Sequence, residues 1–335
     1  MTTATASDGQ DEAILVVDRV SKQFGNAGRA GFSRRVVRAV TDVTFTVAPA
    51  EVVAIVGETG SGKTTLGNCV TGLIEATSGH VWFDGVDLAH SPRRLRAQAR
   101  RKIQPVFQDP RSSLDPRWSA GRTIREALDS CGIGTAAERR ERVRSLMDLV
   151  GLPRFVESRY PHQLSGGQQQ RVAIAAALAL QPALLVADEP VSALDVSVQA
   201  QILNLFETLR TELGLAILFI SHDLSVVEHI SDRVIVMYLG RVVESGTVAQ
   251  VFDHPVHPYT QALLEAIPRA DPKARHTPAP LRGEIPSTLA SPAGCVFATR
   301  CPQVVSACRS AQPPETSFGP GHAAACLVAA QAVHG

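Results

Sequence analysis

The residues with the clearest chemistry are Gly57, Glu58, Thr59, Gly60, Ser61, Gly62, Lys63 and Thr64, with Thr65 next to them. This is Gly-x4-Gly-Lys-Ser/Thr, placed after an apolar run and before a helical pattern. Glycines let the backbone turn tightly enough for its N–H groups to converge on phosphate oxygens, and a helix start adds the positive end of its dipole. Lys63 suits the β and γ phosphates of ATP, and the Thr64 hydroxyl suits Mg²⁺. A second pair of groups follows Leu184-Leu185-Val186-Ala187. Asp188 suits Mg²⁺, and Glu189 suits a general base acting on the attacking water. A carboxylate pair before proline is also a common helix N-cap, so these two gain meaning from the phosphate loop.

Segments of two kinds must hold these groups. AILVVDRV, VTFTV and EVVAIVG are β-branched runs, and residues 25–35 read as a loop between them. Ile124–Ser130, Ala137–Val150 and Gln169–Leu180 fit a 3.6-residue period. From residue 183 strands alternate with helices through ALLVAD, AILFIS and RVIVMYL. That alternation predicts a mainly parallel α/β sheet. Residues 91–102 predict a basic, solvated helix. The composition turns proline-rich after His254, which predicts an extended, loop-rich tail.

The charge of +1, from 33 basic and 32 acidic residues, gives no basic excess for a nucleic-acid partner. The polar first residues carry no signal pattern. The apolar stretch Val172–Ala187 is broken at Gln181 and Pro182, so no spanning helix is expected. Without a secretory signal, disulfides among the six cysteines are not expected. Cys295, Cys301, Cys308 and Cys326 could instead hold Zn²⁺ or a 4Fe–4S cluster, or no metal. Short Cys-x2-Cys knuckles, which favour zinc, are missing from this set.

Leu164-Ser165-Gly166-Gly167-Gln168 narrows the field. It resembles the signature of ABC ATPases, whose helix start and serine face the γ-phosphate of an opposing subunit. Gln108 resembles the Q-loop glutamine, a further Mg²⁺ and water contact. Ser192-Ala193-Leu194-Asp195 resembles the D-loop, and His222 the switch histidine. A capping or core role is the plain alternative for His222. Phe24 resembles the aromatic that stacks on adenine, with a core phenylalanine as the alternative. His257-Pro258-Tyr259-Thr260, Gly283-Glu284-Ile285-Pro286-Ser287 and Gly294-Cys295-Val296-Phe297 look like the C-terminal region of oligopeptide and dipeptide importer ATPases.

The resemblance implies a P-loop, RecA-like nucleotide-binding domain at 13–254, with a β-rich N-terminal part and a helical signature subdomain at about 95–180. A Cys-rich extension follows at 255–335, and similar tails imply a 4Fe–4S cluster on its four cysteines. The implied activity is ATP hydrolysis driving import of peptides, with nickel, glutathione or another small solute as the alternative cargo. The implied partners are a second, distinct ATPase subunit, two permeases docking near Gln108 and residues 110–125, and an extracytoplasmic solute-binding protein. The implied place is the cytoplasmic face of the cell membrane, as a peripheral subunit. A soluble, non-transport ABC ATPase is the rival reading, and the single ATPase module speaks against it.

Overall fold

The computed structural model describes residues 13–25, 36–267 and 293–334. The predicted loop at 25–35 and the Gly283–Ser287 segment lie largely outside them. The chain opens with β1 (Leu15–Phe24), β2 (Val37–Val47), β3 (Val52–Val56), α1 (Lys63–Thr71), β4 (Ser78–Phe83) and β5 (Val86–Asp87). Then come α2 (Arg93–Arg101), β6 (Ile103–Val106), α3 (Pro110–Ser113), α4 (Ala120–Cys131), α5 (Ala136–Leu149) and α6 (Gly166–Leu178). The next stretch holds β7 (Leu184–Asp188), α7 (Val196–Leu213), β8 (Ala216–Ser221), α8 (Leu224–Ile230), β9 (Arg233–Tyr238) and β10 (Arg241–Thr247). The tail holds α9 (Val248–Asp253), α10 (Pro258–Glu265), α11 (Ser306–Ser310), β11 (Thr316–Gly319), β12 (His322–Ala324) and α12 (Leu327–His334).

Two sheets form. β2-β1-β4-β5 is antiparallel, and β11-β12-β10-β9-β3-β8-β7-β6 is an eight-stranded sheet. Its centre, β9-β3-β8-β7-β6, is parallel. The all-apolar run Val52–Val56 explains the central place of β3, because both of its faces are covered. Val53 and Ile55 pack with Leu66 and Val70 of α1 and with the antiparallel sheet. Val52, Ala54 and Val56 pack with α6, α7 and the helical layer.

The helical layer is narrower than the expected span from about residue 95. β6 pairs with β7 in the main sheet, and Ala99 of α2 packs into the core shared with α1. The tail is also less extended than its prolines suggest. β12 pairs with β10, Phe297 is fully buried, and Cys295, Val296, Ala298 and Cys308 join the core under α6 and α7. The composition change at His254 therefore marks no break in packing. Glu244 of β10, itself fully buried, accepts hydrogen bonds from the Val256 and His257 amides and pairs with His322, which fixes the tail at three points.

His257 sits in that joint, 1% exposed, with Nδ1 accepting the Tyr259 amide. Burial pulls its pKa down to about 4. The unfolded chain binds this proton below its ordinary value of about 6.5 and the folded chain does not until about 4, so folding stability falls as pH drops through that window. The expected loss is about 3 kcal/mol between pH 6.5 and 4. Urea unfolding at several pH values should show it, and a His257→Phe variant should flatten that part of the profile.

Candidate active site

The phosphate loop, Gln108, the Asp188–Glu189 pair and His222 lie at the carboxyl ends of the parallel strands β3, β6, β7 and β8. The phosphate loop joins β3 to α1, and Gly62 is the α1 N-cap at φ 101°. A Cβ there would stand 2.1 Å from the Ala39 carbonyl oxygen, so only glycine fits. Lys63 is 5% exposed, and its ammonium donates to the Gly57 carbonyl at 2.7 Å, to the Glu58 carbonyl at 3.0 Å and to Ser61 Oγ at 3.4 Å. Burial lowers its pKa, and Glu189, Asp188 and Glu58 oppose that.

The Thr64 hydroxyl meets Asp188 Oδ1 at 3.2 Å. Burial raises the Asp188 pKa, as does the neighbouring Glu189, while Thr64 and Lys63 lower it. Two adjoining carboxylates beside a hydroxyl form a hard oxygen set, which fits Mg²⁺. The Gln108 side chain donates through Nε2 to Glu189 Oε2 at 2.8 Å, so its amide oxygen stays available to a cation. His222 Nδ1 stands 3.0 Å from Glu189 Oε1. Gln108 and His222, 114 residues apart, thus meet at the Glu189 carboxylate, while Thr64 of the phosphate loop reaches the adjoining Asp188.

Glu189 also has a left-handed backbone, φ 45°. Such strain costs about 1–3 kcal/mol and persists only where the surroundings hold it. Its amide donates to the Ile220 carbonyl at 2.8 Å, and its carbonyl accepts from the Ser192 hydroxyl at 3.0 Å. The carboxylate is therefore fixed by backbone from β8 and from the turn that follows.

Ser165 caps α6. Its Oγ accepts the Gln168 amide while Gln168 Oε1 accepts the Ser165 amide, a reciprocal box. The Ser165 side chain is exposed, and the amides of Gly166 and Gly167 open the helix without intrahelical acceptors. Leu164 is half-buried against the core and anchors this turn. Asp195 is the exposed N-cap of α7, followed by Val196, 83% exposed. Neither the signature turn nor Asp195 hydrogen bonds to the Lys63–Glu189 cluster among the described residues. Phe24 ends β1, 40% exposed, with the Lys22 ammonium 5.2 Å above its ring.

Arg300 and Tyr238 escaped the sequence reading, and Tyr259 and Phe297 entered it only as parts of the tail's resemblance. The Arg300 guanidinium grips Glu58 of the phosphate loop with both terminal nitrogens, at 2.7 and 3.1 Å. It also donates to Tyr238 Oη at 3.3 Å. Tyr259 Oη accepts the Glu58 amide at 2.9 Å, and Tyr238, Tyr259 and Phe297 pack ring against ring. Glu58, expected only as a loop residue, is thus the clasp between loop and tail. Arg300→Ala should cost about 2–4 kcal/mol, because it leaves Glu58 and Tyr238 partly buried without their cation. It should also weaken ATP binding, while Arg300→Lys should recover part of each loss; thermal melts with and without nucleotide read both.

The four tail thiols are reduced, and all but Cys301 are buried. Burial raises the Cys295 pKa, and the other three cysteines raise it further. Among the described residues, the only cluster whose ligand atoms all lie within 4.8 Å is His80, Asp87 and His90. The thiols therefore stand wider than the S···S spacing of about 3.8 Å in a closed zinc tetrahedron.

This fold and site define an ATP-hydrolysing cassette. The ABC transporter family model matches residues 40–192, and the oligopeptide/dipeptide transporter C-terminal region matches residues 243–308. The dipeptide transport ATP-binding protein DppF of Haemophilus influenzae is 49% identical over 291 residues, 87% of this chain and 89% of that protein. The oligopeptide transport ATP-binding protein AppF of Bacillus subtilis is 46% identical over 321 residues, 94% of this chain and 97% of that protein. The solved ATP-binding cassette MJ0796, dimeric and bound to ADP and Pi, superposes with a TM-score of 0.62 at 31% identity, covering 70% of this chain and 98% of that one. The chain belongs to the ABC transporter ATP-binding subunits of the oligopeptide/dipeptide importer family. It is an ATPase that works with membrane permease subunits, and no helix among its described residues is long and apolar enough to cross a membrane.

Proposed function

We propose that this subunit powers the uptake of di- or oligopeptides from the cytoplasmic face of the cell membrane. The observation that carries this reading is similarity to dipeptide and oligopeptide transport subunits along 87–94% of the chain, tail included. Two ATP molecules are held between two ATPase subunits. Each lies between the Lys63 side of one chain and the Ser165 side of the other. The exposed Ser165, Asp195 and Val196 support such an opposing face. The second subunit is a related but distinct ATPase, and Phe24 stacks on adenine.

The step at this chain's own residues is short. Lys63 and the loop amides bind and orient the phosphates. Mg²⁺, held by Thr64, Asp188 and the Gln108 oxygen, supplies charge neutralisation on them. Glu189 takes the proton of the attacking water, and His222 holds the carboxylate in place.

The permease docks in the groove between β6 and the helices α4 and α6. The groove is lined by Phe107, Leu114, Trp118 and Ala173, and Phe107 is 43% exposed. Because Gln108 follows Phe107, a helix seated there can move a ligand of the catalytic carboxylate. Cys295, Cys301, Cys308 and Cys326 hold a 4Fe–4S cluster that braces the tail. An extracytoplasmic solute-binding protein delivers the cargo.

Reconstitution with permeases, a second ATPase and a solute-binding protein of a peptide importer tests the reading. Peptides should raise ATP hydrolysis in proteoliposomes several-fold. A response to Ni²⁺ or glutathione but not to any peptide would reassign the cargo and leave the ATPase reading intact. Iron and acid-labile sulfide in anaerobically purified protein test the cluster; a colourless, iron-free sample would remove it.

A further inference from the structure

Away from the ATP site, the β4–β5 hairpin brings together two imidazoles and a carboxylate. Asp87 closes the hairpin and is 3% exposed. Its Oδ1 accepts the amides of Ala89 and His90 at 2.8 and 3.0 Å. Its Oδ2 faces His80 Nδ1 at 2.7 Å and His90 Nδ1 at 3.1 Å. The two rings are 5.1 Å apart, and the His80 ring stacks on Trp82 at 5.9 Å. The His80 side chain is 44% exposed and that of His90 67%, so the cluster opens to solvent on one side.

We propose that His80, Asp87 and His90 form a binding site for a borderline divalent transition-metal ion of the Zn²⁺ or Co²⁺ class. The donor set of two imidazole nitrogens and one carboxylate oxygen selects such ions over Mg²⁺ and Ca²⁺, which prefer all-oxygen shells. The spacing agrees. Metal–ligand bonds of about 2.0–2.2 Å place neighbouring ligand atoms about 2.9–3.4 Å apart, close to the two contacts observed at Oδ2.

Preorganisation agrees as well. Two amides hold Oδ1, leaving Oδ2 aimed at the imidazoles. The loop after Asp87 is pinned from α2, where Arg100 donates to the Leu88 carbonyl at 3.1 Å and Arg96 to the Ala89 carbonyl at 3.0 Å. Binding needs no redox step. In the hydrogen-bonded cluster each Nδ1 donates its proton to Asp87 Oδ2; on binding, each imidazole gives that proton up to water, takes one on Nε2 and offers its Nδ1 lone pair to the ion. The two guanidiniums add positive charge nearby, which weakens the site for a cation. The exposed side of the cluster would leave room for water to complete the ion's shell.

The test uses the purified full chain, stripped with chelator, and its His80→Ala/His90→Ala double variant. Zn²⁺ is titrated against a chromophoric chelator. The tail cysteines contribute equally to both proteins, so the wild type should take up one equivalent more. Co²⁺ difference spectra, wild type minus variant, should show weak d–d bands without thiolate charge-transfer absorption. His90→Ala alone removes only an exposed ring and should lower the affinity of that equivalent about 10-fold or more, with basal ATPase activity unchanged. Equal stoichiometry and affinity in wild type and His90→Ala would reduce the cluster to a set of hydrogen bonds on Asp87 and overturn the proposal. A difference spectrum dominated by thiolate bands would do the same.

Discussion

Glu189→Gln should lower steady-state ATP hydrolysis by about 10²–10⁴-fold, the contribution of a positioned general base, while ATP still binds with near wild-type affinity. The geometry separates the two effects. Glu189 is the meeting point of Gln108 and His222, yet in the proposed mechanism phosphate binding falls to Lys63 and the loop backbone, which the substitution leaves in place. Glutamine preserves shape and can still accept from Gln108, so the strained turn at φ 45° survives. What disappears is the basic oxygen. Assembled complexes should therefore accumulate with ATP trapped between subunits, measured as retained nucleotide after gel filtration. Turnover within 10-fold of wild type would shift the base to another residue. His222→Ala should fall in the same direction by a smaller factor, since it holds the carboxylate rather than taking the proton.

Lys63→Ala should abolish measurable ATP binding, with an affinity loss of about 100-fold or more. Charge-assisted hydrogen bonds contribute about 1.5–3 kcal/mol each, and an ammonium bridging phosphates makes more than one. Lys63 is buried among three loop acceptors, and three carboxylates around it oppose the cost of its burial. Removing the cation leaves Asp188, Glu189 and Glu58 facing incoming phosphates with no countercharge from this side chain. Equilibrium binding of a fluorescent ATP analogue reads the effect directly. The isolated subunit should remain folded, because the ammonium is satisfied by flexible loop carbonyls rather than by the core.

The residues that gather around Lys63 and Glu189 were legible as candidates because each motif is contiguous and chemically explicit. A glycine-rich turn between an apolar strand and a helix has few other uses, and Ser165 with Gln168 spells a capping box in four residues. The parallel core was legible from ALLVAD, AILFIS and RVIVMYL, each a run that only a doubly covered strand would carry. The clasp was not. Arg300 and Glu58 are 242 positions apart, and neither carries a local pattern that names the other. Phe297 read as one residue of a proline-rich tail, because proline counts report local backbone freedom and say nothing of which side chains a distant sheet will bury. His80 and His90 were missed for a related reason. Their spacing with Asp87 means nothing until a hairpin folds the three together. The helical layer was drawn too early in the chain because periodicity in α2 does not tell which of two cores the helix faces.

The clasp makes the phosphate loop and the tail a single thermodynamic unit. Arg300 lies between Cys295 and Cys301 in the chain and closes on a residue of the nucleotide loop. Coupling between two sites is reciprocal: whatever factor an ordered tail contributes to nucleotide affinity, bound nucleotide returns to the tail. ATP should therefore slow alkylation of the buried Cys295 and Cys308 in the wild type and do so less in Arg300→Ala. In this subunit, how firmly the cysteine segment is held and how tightly fuel is held are two readings of one equilibrium.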